Sequence, residues 1–261
     1  AKVAPSFHMK GRLAGTLVAR CLHDAGSRLI EEMLKENPDA EAGLAGLRVN
    51  ALTFMGRHDE LLPELDAAVA RNPNDPLRRY SRSAINLLNE RYAEGWQDYT
   101  YRNLESTKHL RMMPFPLWDG SDLKGKSILV VAEQGLGDQV MFASCLPDLV
   151  RLQPARVVVE TAERVAPTLV RSFPECEVIA SKQDSNLEWV KSVGKVDCFV
   201  MMGDLPRWFR NRREDFPNHA GYLKPDPARV AHWRQAFDAI DGGKRPRIGL
   251  SWRGGSESTR K

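Results

Sequence analysis

The sequence predicts an α-helical domain followed by a parallel α/β domain, and three observations support this fold class. Up to about Arg102, apolar residues recur at helical spacing and no convincing strand is present. From Ser127 onward, short β-branched runs alternate with helical patterns, which is typical of βαβ units. Finally, the stretch Ser127–Phe142 leads from a β-branched run through Gly135-Leu136-Gly137-Asp138 into a helical segment. Such a turn places an acid and backbone N–H groups at a helix N-terminus, where unsatisfied donors favour anions.

Length and composition are those of an ordinary globular chain. At 261 residues, with 42% hydrophobic and 28% charged residues, the chain is long enough for two domains with separate cores. The modest net charge of +4 does not suggest a nucleic-acid partner, for which a concentrated basic face is expected. The N-terminal region lacks a signal-peptide core, and no apolar run approaches the ~20 residues that cross a bilayer. We therefore expect a cytoplasmic protein without a transmembrane segment.

The cysteines and histidines indicate no metal site. The four cysteines are widely spaced and include no C-x-x-C pair, so we expect reduced, buried thiols: Cys21, Cys145, Cys176 and Cys198. The histidines are scattered without the spacing of ligands. We expect neither a metal nor a cofactor.

Two apolar stripes with the same ending indicate a helical repeat. The first ends at Asn37-Pro38 and the second at Asn72-Pro73, 35 residues later. The stripes are formed by Leu29, Ile30, Met33 and Leu34, and by Leu61, Leu62, Leu65, Ala68 and Val69. A period near 34 with helix–turn–helix content is the tetratricopeptide signature, and an unrelated α-helical domain is the alternative. Such repeats either present a surface to a protein partner or pack on the next domain as a buttress.

Four segments are expected along the chain. Residues 1–112 form the tetratricopeptide-like helical domain, and residues 113–126 form a linker with two prolines and Trp118. Because Phe115, Leu117 and Trp118 need apolar neighbours, this linker should be ordered. Residues 127–243 form the α/β domain, and residues 244–261 begin a second one.

The α/β domain alternates strands and helices. Strands are predicted at Ile128–Ala132, Arg156–Glu160, Glu177–Ala180, Cys198–Met201 and Arg247–Trp252. Helices are predicted at Gln139–Leu152 (kinked by Pro147), Glu163–Ser172, Leu187–Val193 and Pro227–Ile240. Trp96, Trp189 and Trp233 are expected in the core. Because ligands bind off the carboxyl ends of such strands, Glu133–Asp138 should lie at the mouth of a site.

Common nucleotide-binding fingerprints are broken or absent. A dinucleotide loop would need a third glycine where Val140 stands, and Glu160 has no clear ribose-binding context. No G-x-x-x-x-G-K-[ST] loop is present. The sequence therefore argues against a nucleotide-dependent oxidoreductase, which is kept as an alternative hypothesis.

Several motifs occur in an order that resembles a known family. They are Gly95-Trp96, Tyr99 and Arg102, then Trp118-Asp119-Gly120, Glu133-Gln134-Gly135-Leu136-Gly137-Asp138, Tyr222-Leu223 and Gly249-Leu250-Ser251-Trp252-Arg253-Gly254-Gly255. Together they resemble the bacterial tetratricopeptide proteins that carry a heptosyltransferase-like (family 9-like) glycosyltransferase domain. The resemblance implies a GT-B fold, in which two Rossmann-like domains face each other across a cleft. It also implies metal-independent, inverting transfer from a nucleotide-sugar to a glycan, lipid-linked saccharide or protein.

The resemblance implies roles for the residues of the β-strand turn. Asp138 is the expected general base, because an inverting transfer removes a proton from the acceptor hydroxyl. The same residue type also suits a helix N-cap, and both roles are compatible. Glu133 and Gln134 either bind acceptor hydroxyls or hydrogen-bond the turn. Gly135 and Gly137 should permit a tight turn and close approach of the backbone to the ligand.

A second glycine loop lies near the end of the sequence. Arg253, Gly254 and Gly255 are candidates for the donor phosphates, although a frayed end is the competing interpretation. The run Arg207, Arg210, Arg212 and Arg213 is expected on the solvated surface, with an anionic acceptor or the facing domain as the alternative.

The resemblance also implies a donor half that these 261 residues do not contain. We expect either a fragment of a longer protein or a natural truncation. The alternative function is a non-catalytic interaction protein, in which the repeats recruit a partner and the α/β part is a scaffold.

Overall fold

The computed structural model describes residues 6–102, 111, 113–182, 187–242 and 246–250. Six helices precede the first strand in the described part: α1 Phe7–Ala19, α2 His23–Glu36, α3 Glu41–Phe54, α4 Leu62–Arg71, α5 Pro76–Leu88 and α6 Tyr92–Tyr99. Four strands follow: β1 Ser127–Val131, β2 Arg156–Ala162, β3 Glu177–Ser181 and β4 Cys198–Met201. The remaining helices are α7 Leu136–Phe142, α8 Leu146–Arg151, α9 Ala166–Ser172, α10 Val190–Val193, α11 Pro206–Phe209 and α12 Pro227–Asp241. The prediction of a helical part followed by a parallel α/β part is confirmed.

Both predicted helix stops lie where the sequence places them. α2 ends at Glu36 and α4 at Arg71, each followed by an asparagine that precedes proline. Asn37 and Asn72 adopt nearly the same extended backbone, with φ of −145° and −135°. The following proline disfavours helical angles at the residue before it, so each helix ends there.

The turns between helices repeat with a period of 34 to 35 residues. Cys21, Gly56 and Glu90 all have positive φ, at 61°, 70° and 57°. Each turn makes the same two bonds of a Schellman motif. In the first, the N–H groups of residues 21 and 22 donate to the carbonyls of residues 18 and 17, and residues 56–57 and 90–91 do the same with carbonyls 53–52 and 87–86. These three turns therefore share one backbone geometry at regular spacing.

The helices pack through small residues and an apolar interior. Gly26 of α2 approaches α1 so closely that an added Cβ would lie 2.8 Å from Val18 Cγ2. Gly95 of α6 approaches Leu87 of α5 in the same way. Apolar side chains fill the interior, among them Ile30, Met33, Leu52, Leu65 and Ile85.

The sheet is parallel, and its strand order is β3-β2-β1-β4. Leu129 of β1 pairs with Val158 of β2 and Phe199 of β4. β1 and β2 are buried almost throughout, because helices and loops cover both faces of a parallel sheet. The chain runs outward from β1 to β3 and then returns to the other side of β1. The order therefore reverses between β1 and β4, where open α/β sheets commonly have a binding crevice at the carboxyl ends.

The predicted helix Gln139–Leu152 is interrupted. α7 and α8 are separated by a 3₁₀ turn at Ala143–Cys145, and Pro147 lies in the first turn of α8. Proline lacks an N–H to donate, so it is accommodated where a first turn has no acceptor for one. The expected kink is thus a break between two short helices.

The segment from residue 113 to residue 126 packs against the sheet edge. Trp118 is buried, and its ring centroid lies 5.3 Å from that of Trp208. The backbone N–H of Trp118 donates to the Phe199 carbonyl at 2.7 Å, and the backbone N–H of Phe199 donates to the Pro116 carbonyl at 2.8 Å. Leu117, which was expected to be packed, is exposed.

The chain divides into two compact units, Ala1–Tyr222 and Leu223–Lys261. The second contains α12, which Asp226 caps by accepting from the N–H groups of residues 228 and 229. Four apolar side chains of α12 are exposed: Val230, Trp233, Phe237 and Ile240. The prediction that Trp233 lies in the core is therefore wrong, since its side chain is exposed within the described part of the chain. The predicted domain boundaries at residues 112, 126 and 243 stay predictions.

The predicted strand Arg247–Trp252 is not found where it is described. Residues 246–250 have no strand pairing, and residues 251–261 lie outside the described part. A strand needs a neighbouring strand to receive its backbone hydrogen bonds, and within the described ranges the sheet contains only β1 to β4.

Candidate functional site

The turn after β1 takes its shape from Gln134. Gln134 has a φ of +61°, whereas Gly135 has −83°, so the left-handed residue of the turn is not a glycine. Left-handed backbone is unfavourable for residues with a Cβ. Gly135 therefore does not supply a left-handed backbone to the turn, although a Cβ added there would lie 3.1 Å from Asp138 Oδ2. A Cβ added at Gly137 would meet no atom within 4 Å, so this position faces open space.

Asp138 is the third residue of α7 and not its N-cap. Its Oδ2 accepts a hydrogen bond of 2.9 Å from the Gly135 N–H, and Gly135 is the N-cap residue. The carboxylate thus satisfies one of the N–H groups that a helix start leaves free. Asp138 is half-buried and has no cationic partner within the described chain.

Glu133 is buried beneath the turn and does not face a cleft. Its Oε1 accepts from Arg102 Nη2 and, at 3.1 Å, from the Gly203 N–H. Its Oε2 is buried without a hydrogen-bond partner. Burial raises the pKa of Glu133, and the Arg102 charge only partly opposes this. With both oxygens buried, this conformation offers no surface to an acceptor hydroxyl.

Arg102 joins the ends of β1 and β4. Besides Glu133, its Nη1 donates to Asp204 Oδ1 at 2.6 Å and to the Tyr99 carbonyl at 3.0 Å. Burial alone would lower the pKa of Arg102, but the charges of Asp204 and Glu133 outweigh it and raise the pKa. A Cβ added at Gly203 would lie 2.6 Å from Glu133 Oε1 and 2.8 Å from Arg102 Nη2, so a larger residue would displace these buried groups. The guanidinium therefore occupies the crevice where the strand order reverses.

Tyr99 bonds to the left-handed residue of the turn. Its hydroxyl lies 3.1 Å from Gln134 Oε1 and 3.0 Å from Gln134 Nε2, so the amide both accepts and donates. The Tyr99 ring also lies 4.5 Å from the Arg102 guanidinium carbon. Burial raises the pKa of Tyr99 to about 12, so the hydroxyl keeps its proton at neutral pH.

A second buried carboxylate lies on β2. Glu160 is fully buried and accepts from both terminal nitrogens of Arg111, at 2.9 and 2.8 Å. It also accepts from the Ser181 hydroxyl and, at 3.0 Å, from the Ala132 N–H. The carboxylate is fully engaged inside the protein and cannot reach a ribose. This disfavours a dinucleotide site of the usual kind.

α7 is anchored at two points. Gln139 Oε1 accepts from the Thr161 hydroxyl at 2.8 Å and from the Ala162 N–H at 3.0 Å. At the other side, the Tyr222 hydroxyl donates to the Val140 carbonyl at 2.7 Å. These bonds hold the helix that carries Asp138 against the carboxyl end of β2.

The basic run after β4 is divided between interior and surface. Arg210 is buried, and its Nη2 donates to Asp148 Oδ2 at 2.6 Å. Arg213 is exposed and pairs with Glu90 of the helical part. The expectation of a solvated run is therefore wrong for Arg210, because an acid on α8 supplies a buried partner.

Some predicted features cannot be placed, and others are absent from the described residues. The candidate loop Arg253, Gly254 and Gly255 lies outside them. Within the described ranges, no group of three or more His, Cys, Asp or Glu side chains could hold a metal ion. No helix in that part of the chain is long and apolar enough to cross a membrane. All four cysteines are free; Cys21 is exposed and the other three are buried.

Sequence reasoning missed the supporting residues of the site. Tyr99 and Arg102 belong to the motifs of the family resemblance, but the sequence predicted no role for them at the site. Their spacing of three residues at a helix end was the available signal, because it places both side chains on one face. Asp204 follows a strand through Met202-Gly203, which places it at the same sheet edge as Glu133.

Comparison with known proteins shows that the chain is similar to a longer bacterial protein. Over 255 residues the chain is 32% identical to the protein named FlbA of Caulobacter vibrioides, and the match covers 92% of the chain. It covers 42% of FlbA, so the chain spans less than half the length of this relative. No family model matches the chain. No solved structure matches it either.

Proposed function

We propose that the chain is the helical and acceptor-side part of an inverting, metal-independent glycosyltransferase of the GT-B type. The observation that carries the proposal is the Asp138 carboxylate at the carboxyl end of β1. It has no cationic partner in the described chain and follows Gly137, which faces open space. Carboxylates at this edge of an open α/β sheet commonly face the ligand.

Asp138 is suited to accept the proton of an acceptor hydroxyl. The Gly135 N–H holds Oδ2, which leaves Oδ1 free to receive the proton. In the proposed reaction, the acceptor oxygen attacks the anomeric carbon of a nucleotide-sugar. The bond to the nucleoside diphosphate breaks, the leaving group takes the electron pair, and the hydroxyl proton goes to Asp138. The acceptor is a saccharide or a protein.

The other predicted site residues enter the proposal with different roles. Gln134 and Gly137 border the acceptor, since the turn presents them beside Asp138. Glu133 supports the turn from below, since burial removes it from the surface. Arg253, Gly254 and Gly255 stay predicted donor-phosphate ligands, and they need cationic or N–H contacts to stabilise the departing diphosphate.

The parallel sheet is compatible with a Rossmann-like half of a GT-B enzyme. The rival oxidoreductase hypothesis is disfavoured by two buried groups. Glu160 is committed to Arg111, and Arg102 occupies the crevice between β1 and β4. Neither position is open to a dinucleotide in this structure.

The helical part supports the tetratricopeptide component of the proposal. Its turns recur at Cys21, Gly56 and Glu90 with the same Schellman bonds. A repeat of 34 to 35 residues with two helices is the pattern of this class.

A second candidate function, a scaffold that recruits a protein partner, is favoured by exposed apolar residues on the repeats. Phe54 ends α3 and Leu88 ends α5, 34 residues apart, and they are 72% and 51% exposed. Replacing both by serine distinguishes the functions in cells. A scaffold loses its function with Phe54→Ser/Leu88→Ser and keeps it with Asp138→Asn. A transferase loses its function with Asp138→Asn.

The direct test is transfer by the full-length protein from a panel of nucleotide-sugars, with Asp138→Asn compared to Asp24→Asn. Asp24 is an exposed acid in the first turn of α2, so it matches Asp138 in chemistry and in helix position. We expect Asp138→Asn to lower kcat by about 100-fold or more, because a general base contributes about 10²–10⁴-fold. Asp24→Asn should not change turnover. Equal turnover by wild type and Asp138→Asn would remove the assignment.

A further inference from the structure

We propose that Tyr99 and Arg102, both from the helical part, are positioning residues of the glycosyl-transfer site. Arg102 fixes the crevice between β1 and β4, and Tyr99 holds Gln134 in its left-handed conformation. Together they set the turn that carries Asp138. This inference rests on the proposed function and adds that the residues at and just after the end of α6 are an integral part of the site.

The Arg102 side chain spans the crevice between β1 and β4. Arg102 bridges Glu133, which follows β1, and Asp204, which follows β4. Its side chain is 4% exposed, so it is enclosed by the strand ends. Along the chain, Arg102 lies 31 residues before Glu133 and 102 residues before Asp204. A side chain of the helical part therefore ties together the two strand ends at which the chain reverses its order.

Tyr99 restrains the turn after β1 through its bonds to Gln134. Gln134 keeps a φ of +61° although its Cβ disfavours that conformation. Such a conformation persists only where the surrounding structure over-determines it. Tyr99 supplies this restraint, because both atoms of the Gln134 amide bond to its hydroxyl. The next residue is Gly135, whose N–H binds Asp138, so the orientation of Gln134 is passed directly to the carboxylate.

The buried ion cluster is only partly hydrogen-bonded. Glu133 Oε2 and Arg102 Nε are buried without hydrogen-bond partners. Buried ion pairs that are not fully hydrogen-bonded add little stability, and apolar residues of similar volume often replace them without loss. A cluster of this kind is better explained by the geometry that it imposes than by the stability that it adds.

Tyr99→Phe is the sharpest test, because it removes only the hydroxyl. Tyr92→Phe is the matched control on the same helix. The Tyr92 hydroxyl makes no hydrogen bond in the described chain, and its ring packs against Phe216 with or without it. Amide exchange at Gly135 and Leu136 and steady-state transfer are measured for both variants of the full-length protein.

We expect Tyr99→Phe to increase amide exchange at Gly135 by about tenfold, because the restraint on the turn is lost. It should lower kcat by about tenfold and leave KM within about twofold, since misplacing a catalytic group acts on the transition state. Tyr92→Phe should match wild type in both assays. In a Gln134→Gly background, Tyr99→Phe should have little further effect, because glycine adopts positive φ without help.

Two results separate the inference from the proposed function. If Tyr99→Phe matches Tyr92→Phe in both exchange and kcat, the positioning role is overturned while the transferase assignment stands. If wild type transfers no sugar from any donor, the proposed function fails. A rise in exchange for Tyr99→Phe would then still support the restraint of the turn by Tyr99, and unchanged exchange would overturn it.

Discussion

The substitution Arg102→Met tests the buried ion cluster most directly. Methionine fills a similar volume but leaves Glu133, with a side chain that is 2% exposed, without its cation. Removing one partner of a buried ion pair typically destabilises a protein by about 3–5 kcal/mol. Asp204 is 15% exposed and can be partly rehydrated, so we expect a loss of about 3 kcal/mol near neutral pH.

The loss should depend on pH in a defined direction. Burial raises the pKa of Glu133 above its unfolded value, and Arg102 opposes this rise. Without Arg102, the folded-state pKa should rise further. A carboxyl with a raised folded pKa contributes stability that is complete below the unfolded pKa and is lost as pH rises through the folded pKa. The deficit of Arg102→Met should therefore shrink between about pH 8 and about pH 5.

Urea unfolding followed by tryptophan fluorescence provides the measurement, with linear extrapolation to water. The double variant Arg102→Met/Glu133→Gln should recover part of the loss, because the amide removes the unpaired charge. Two results would refute the reasoning: a deficit below about 1 kcal/mol at both pH values, or strictly additive effects of the two substitutions.

Two further predictions concern the helical repeats and the thiols. Gly56→Ala should destabilise the protein by about 1 kcal/mol because φ is +70°, whereas Gly46→Ala in the exposed interior of α3 should stabilise it by about 0.5–1 kcal/mol. Urea midpoints check both changes, and the same sign for the two would contradict the helix assignment. A thiol reagent should label Cys21 rapidly in the native protein, because this thiol is exposed. Cys145 and Cys176 should react slowly, because burial shields them and raises their pKa to about 11 and about 12. Fast labelling of either buried thiol, located by peptide mass, would show that the described packing is wrong.

Local signals predicted most of the elements. Asn37 and Asn72 end their helices because the following proline restricts the backbone, and this effect acts between neighbours. The β-branched run before Glu133 predicted β1, since alternating or continuous apolar residues respond to burial in a sheet. The effect of Pro147 was predicted only in part: the sequence predicted one kinked helix, whereas the structure has two short helices separated by a 3₁₀ turn.

Neighbouring residues could not predict the roles inside the turn. The two glycines suggested a glycine turn, yet Gln134 takes the left-handed position because Tyr99 compensates for its unfavourable backbone. Glu133 looked like a cleft residue because it follows a strand. Its burial depends on Arg102, which lies 31 residues earlier in the chain.

By itself, the sequence determined where α2 and α4 end, where the strands β1 to β4 lie, and where an acid meets a helix start after β1. These features depend on backbone restrictions and on the period of apolar residues, which act over a few neighbours. Only the tertiary structure decided that Arg102 joins Glu133 to Asp204 at the point where the strand order reverses. That arrangement requires β1 and β4 to be adjacent and the chain at the end of α6 to lie beside their carboxyl ends. No local pattern specifies such a meeting, because it depends on which strands pair across the whole chain.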